Sequence, residues 1–156
     1  MIHKFTYHQL CLFLILALTL TVSCQEQSDK KESLQTARKF AELYFNWRYP
    51  EAVEYADSTC IQMLRFMVSQ ISDDDITLIQ EKVSPATVDI KDVLFESDDS
   101  IVVLVRAKDF LQMKAIGKPA ILQKEGDFTI LLTKKGPKSP WKISSRPQKV
   151  STSHVE

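Results

Sequence analysis

The chain carries three hydrophobic rhythms in succession. Leu10 to Leu20 is almost wholly apolar, Ser33 to about Lys82 repeats its apolar residues at three- and four-residue steps, and from Ala86 the period drops to two. A continuous run, a helical period and a strand period predict a leader, a set of helices and a sheet, in that order.

Within the helical part, Leu34, Ala37, Ala41, Tyr44 and Phe45 share one face, and Phe40, Leu43 and Trp47 widen it. Ser33 is placed to cap this helix. The residue before a proline is pushed out of the helical region, so the helix is expected to stop near Arg48 and Tyr49, ahead of Pro50. Pro50 then suits the first turn of a second helix, "PEAVEYADS". A third runs through "IQMLRFMVSQI". Ser72 ahead of Asp73, Asp74 and Asp75 marks the start of a fourth, because a hydroxyl cap and early carboxylates satisfy the free N–H groups and the dipole.

In "ATVDIKDVLFE", Val88 and Ile90 take one parity while Val93 and Phe95 take the other, which predicts a bulge or bend near Lys91 and Asp92. "SIVVLVRAK" sets Ile101, Val103 and Val105 on one face and Val102 and Leu104 on the other, and the polar "ESDDS" before it reads as a hairpin turn. "KPAILQKEGDFTILLTKKG" predicts two strands around Glu125-Gly126-Asp127, with Phe128, Ile130 and Leu132 on the face that covers the helices. "KKGPKSP" turns into a short last strand, "WKISS", where Trp141 and Ile143 share parity and Pro140 is tolerated at the start. Helices first and an antiparallel meander afterwards define an α+β domain, expected over 33–146, with a disordered tail over 147–156.

The early helix, the turn "NWRYPEAVEYA" and the closing hairpin "FTILLTKKGPKSPWKIS" resemble the cystatin-like or nuclear-transport-factor-like α+β roll. The resemblance implies N-terminal helices packed on the concave face of a curved antiparallel sheet. Many small bacterial lipoproteins of unknown function end in a similar basic turn followed by Trp-Lys-Ile.

The opening segment bears on where the protein resides. An apolar run of about ten residues is short for a membrane span, which needs roughly twenty, and suits the core of a signal peptide. It leads through Thr21, Val22 and the small Ser23 to Cys24. This stretch resembles a bacterial lipoprotein signal, in which a small residue precedes an invariant lipidated cysteine. The resemblance implies a signal peptide over 1–23 and acylation of the Cys24 thiol. Thr21 stands where that family usually has leucine, and Val22 is bulkier than its common alanine or serine. A secretory signal with an incidental cysteine and an uncleaved anchor are the alternatives. Residues 24–32, polar and without aromatics, read as a flexible tether. Two or three acyl chains give a stable hold on the bilayer, which is the partner implied through Cys24.

Composition then narrows the chemistry. Twenty basic and twenty acidic residues balance, so no global field favours nucleic acid. With only three glycines, neither a dinucleotide fingerprint nor a phosphate-binding loop occurs. Of the three cysteines, Cys11 falls in the leader and Cys24 is the acylation site. Cys60 is left without a disulfide partner in the mature chain. It is expected to be a buried small hydrophobe, with no histidine near it in sequence. Past the leader the only histidine is His154, in the tail, so no two-histidine metal site is available and no metal or cofactor is expected. "SDDD" and "SDD" fit a solvated cap and a turn better than a calcium loop. Lys134, Lys135 and Lys138 form a small basic turn read as solvated.

These readings lead to a lipid-anchored envelope protein, expected in the outer membrane. Its roll is expected to bind a protein, peptide or small ligand without catalysis, and Tyr44, Trp47, Tyr55 and Trp141 are the candidates for facing that ligand. The alternative is an isomerase- or dehydratase-like enzyme that uses the roll's cavity without histidine, with Tyr44, Tyr55, Asp57 and Asp89 as its acid–base groups. The two differ at the cavity. A scaffold fills it with Trp47, Tyr55, Phe66 and Phe128, whereas an enzyme leaves it open to water.

Overall fold

The computed structural model describes residues 27–82, 84–114 and 118–150. The apolar leader, Cys24 and His154 lie outside them. Two compact units divide the chain, Met1–Glu32 and Ser33–Glu156. The second is α+β, with helices packed against a curved, open antiparallel sheet, consistent with a cystatin-like roll. No helix among the described residues is long and apolar enough to cross a membrane.

The first helix, α1, covers 27–45. It is already formed where the tether was expected to continue, and Ser33 is a buried residue inside it rather than its cap. Its end is also set differently from the expectation. Arg48 N–H donates to Leu43 O at 2.9 Å and Trp47 N–H to Tyr44 O at 3.1 Å. That pair of bonds is the Schellman closure, and it requires a left-handed residue, here Trp47 with φ 60°. Tyr49, expected outside a helix, instead opens α2 (Tyr49–Ala52), with Pro50 in the first turn. A single 3-10 turn, Val53–Tyr55, replaces the rest of the expected second helix. Ala56 is extended and bridges Ile143, and Asp57 N–H donates to Ile143 O at 2.8 Å.

Asp57 caps α3 (Ser58–Ser69) by accepting from Cys60 N–H at 2.9 Å, so α3 begins earlier than its apolar pattern alone predicts. Ser72 caps α4 (Asp73–Glu81), as expected, through a reciprocal box with Asp75. The Asp75 carboxylate reaches further and accepts from Ala120 N–H at 2.8 Å, pinning α4 to the approach of the third strand.

The sheet runs β1 (Thr87–Glu96), β2 (Ser100–Gln112), β3 (Ile121–Thr133) and β4 (Lys142–Ile143) in order, and β5 (Gln148–Lys149) also pairs β3. The expected bulge appears as a register shift between Ile90 and Asp92, and a second shift follows between Val93 and Phe95. Ile101, Val103 and Val105 are buried, as are Phe128, Ile130 and Leu132.

Two expectations fail in the sheet. Glu125-Gly126-Asp127 does not separate two strands but lies in the middle of β3. Gly126 sits there for space: a Cβ would meet Phe128 Cε2 at 3.0 Å and Phe110 Cζ at 3.4 Å. Asp127 faces Arg106 on β2, and the two form a two-pronged ion pair at 2.7 and 2.8 Å. At the other end, Gln148 and Lys149, read as tail, pair with Thr129 and Phe128.

Candidate functional site

Aromatic rings from three elements meet where α1 crosses the sheet. Phe45 lies 4.7 Å from Phe128 and 5.2 Å from Phe110 between centroids, and Phe110 and Phe128 meet edge-on at 5.4 Å. Phe110 arrives through a break in strand parity. Along β2 the odd residues 101–107 point inward, but Asp109 takes a φ of 51°, and Phe110 turns in instead. Tyr44 extends the cluster, edge-on to Phe45 at 5.2 Å and to Tyr49 at 5.5 Å.

This aromatic floor opens into a cleft of about 670 Å³, within the range of small-molecule pockets. Tyr44, Trp47, Tyr49 and Phe110 line it from one side, and Met63, Phe66 and Met67 from α3. Phe66 was expected to fill the cavity, but it is 59% exposed. The buried stripe of α3, Cys60 and Leu64, is spent on the core, which leaves Phe66 at the cleft instead. A second, broader cleft of about 1010 Å³ has a more polar lining, with Glu42, Asn46, Arg48, Glu51, Glu54 and Tyr55. Phe45, Trp47 and Leu111 line both clefts and so form the wall between them.

Trp47 carries that wall in an unusual way. A bulky residue in the left-handed region costs about 1–2 kcal/mol, and glycine is the usual occupant of this position. The indole is fixed by Nε1–H donating to Leu111 O at 3.0 Å and by stacking on Tyr49 at 6.1 Å. Backbone strain held in place by surrounding structure is a mark of functional positions. Next to it, the Asn46 side chain accepts from Ala86 N–H at 2.7 Å and donates to Ala86 O at 3.0 Å, tying the end of α1 to the start of β1. Sequence reasoning passed over Asn46, although an Asn beside a helix stop is a signal for such side-chain bonding.

Two phenols, Tyr44 and Tyr49, line the smaller cleft. Burial pushes the Tyr44 hydroxyl up to about 12, against the opposing pull of the Arg146 guanidinium. Burial likewise raises Tyr49, which is only 1% exposed. Among the described residues, Trp141 Nε1 is the one buried side-chain polar atom without a hydrogen-bond partner, and neither phenol oxygen is of that kind. Asp75 also lines this cleft. Burial alone would raise its carboxyl, but bonds from Ser72 and Ala120 N–H hold it below the usual value. Arg146, Lys149, Lys114 and Lys118 supply positive charge to the lining.

The four sequence candidates therefore separate. Tyr44 and Trp47 share the smaller cleft, Tyr55 lines the broader one, and Trp141 lines neither. Trp141 is buried under Lys134, whose Nζ sits 4.8 Å above the ring, so that lysine of the basic turn covers the core edge. Cys24 lies outside the described residues. Cys60 is buried, and loss of solvent raises its thiol to about 12. Asp57 is occupied as a helix cap, and Asp89 stands on exposed β1 beside Lys108 at 3.8 Å. Among the described residues, no group of three or more His, Cys, Asp or Glu is arranged to hold a metal ion. Compared with known protein families, curated sequences and solved structures, the chain has no match.

Proposed function

We propose that the chain is a bacterial envelope lipoprotein, anchored through acylated Cys24, whose roll domain holds a ligand in the smaller cleft without transforming it. One observation carries the binding role: the aromatic floor of Tyr44, Tyr49 and Phe110 opens into a cleft where Phe66 is left 59% exposed, beside a tryptophan held in a strained conformation. A large apolar ring left in water at a cleft marks a surface that a ligand covers.

The absence of catalysis is supported by the groups that line the cleft. General acid–base work near neutral pH needs a group that titrates there. The Tyr44 and Tyr49 phenols are moved up, away from that range, and the Asp75 carboxyl is moved down and fully engaged. The anchoring role rests on the leader and on Cys24.

Each half has its own test. Replacing Cys24 with serine should abolish labelling by a clickable palmitate analogue in cells, and persistent labelling of the variant would remove the anchor from the account. For the cleft, the chain has two tryptophans, so a Trp141→Phe variant leaves Trp47 as its sole indole. Its emission should change when extract of the native envelope is added, and an unchanged spectrum would argue against an occupied cleft.

A further inference from the structure

We infer that the ligand of the smaller cleft is an amphipathic anion, a long-chain fatty acid, whose chain lies on the methionine and aromatic floor and whose carboxylate meets Arg146. The inference rests on the cleft being a binding site and adds the chemical class of its occupant.

The first argument is the placement of methionine. The chain has four, and Met63, Met67 and Met113 all line this one cleft, the fourth being Met1. Methionine is flexible and polarizable, and it suits partners without a fixed shape. An acyl chain is such a partner. Phe66 extends the same surface and is left 59% exposed, an arrangement that leaves a large ring in water until something covers it.

The second argument is charge. Arg146, Lys149, Lys114 and Lys118 line the cleft, against the two carboxylates Asp74 and Asp75. Four cations against two carboxylates leave the lining with a net positive character. Arg146 and Tyr44 line the same cleft, so a guanidinium and a phenol hydroxyl both face its space. Both are donors, and a carboxylate accepts from both. The Tyr44 hydroxyl stays protonated at neutral pH and keeps that proton available. A neutral apolar ligand would use the floor and leave this end unanswered.

The test uses the mature chain from residue 24 carrying Cys24→Ser and Trp141→Phe, which contains the whole compact unit from Ser33. Oleate, kept below its micelle concentration, is titrated while Trp47 emission is followed, with oleyl alcohol as the uncharged control. Oleate should saturate the signal at one per chain, and the alcohol should bind about tenfold more weakly or worse, since a hydrogen bond to a charged group is missing. Arg146→Gln with Lys149→Gln, at exposed positions, should weaken oleate by a similar factor and leave the alcohol unchanged. Equal binding of oleate and alcohol overturns the anion while leaving a ligand-binding cleft intact. Binding of neither overturns the fatty acid, and the response to envelope extract then decides the cleft itself. A concentration-dependent dimer lost in Phe66→Ser, in place of oleate binding, would mean that a second copy covers this face.

Discussion

Trp141 offers a prediction whose size can be worked from its surroundings. The side chain is 5% exposed, and its Nε1 is buried with no hydrogen-bond partner among the described residues. Truncating a buried Trp to Ala typically costs about 3–5 kcal/mol. Removing the orphan donor returns about 1–3 kcal/mol of that, because an unpaired buried N–H is a standing penalty. The net loss expected for Trp141→Ala is therefore about 2 kcal/mol. Trp141→Phe removes the donor while keeping much of the ring, so its stability should fall within about 1 kcal/mol of the parent. Urea unfolding followed by far-ultraviolet circular dichroism separates the two. With a slope of about 1–3 kcal/mol per molar, the Ala variant should shift its midpoint down by about 1 M and the Phe variant by much less. Since Trp141 lines neither cleft, both variants should retain the Trp47 response to ligand. A Phe variant as unstable as the Ala variant would refute the orphan-donor argument. An Ala variant as stable as the parent would refute the burial itself.

Three further outcomes follow from the same packing. Phe128→Ala removes the ring that touches Phe45, Phe110 and the space above Gly126, and should cost about 3–5 kcal/mol by denaturant melt, whereas an unchanged melt would undo the inward face of β3. Asp75 has a folded-state pKa below its unfolded value of about 3.9, so the stability it contributes is present above that pH and fades as pH falls through the folded value. Asp75→Asn should flatten the acid limb of a melting-temperature profile, and a profile identical to the parent's would mean that the Ser72 and Ala120 bonds do not form. Cys60, with its thiol raised to about 12 and buried, should resist alkylation at pH 8 in the folded protein and react on unfolding; rapid labelling of the native state would contradict its place in the core.

What the sequence made legible was whatever periodicity controls. The order of helices and strands, the inward face of Ile101, Val103 and Val105, the shift after Ile90 and the cap at Ser72 all follow from residue type at fixed spacing. What it hid depends on partners far along the chain. Gly126 looks like a turn residue locally, and only the rings of Phe110 and Phe128 explain its place inside a strand. Trp47 was read as widening an apolar stripe, yet it ends the helix in a conformation that glycine would adopt freely, held by a carbonyl at residue 111. Phe66 sits in the apolar "IQMLRFMVSQI", yet it lies off the buried stripe of Cys60 and Leu64 and stays exposed. Tyr44 and Trp47 of the candidate site were thus visible, while Tyr49, Asn46 and Arg146 emerged only from the fold.

Occupancy of the cleft in the protein's own setting is the most direct test of the account. The full chain, extracted gently from its native envelope, would be weighed by native mass spectrometry and again after denaturation. A non-covalent adduct that is present in the first spectrum, released in the second and lost when Phe66 is changed to Arg is the expected result. A bare native mass, with no change in Trp47 emission on returning the extract, would contradict a ligand-binding role for this cleft.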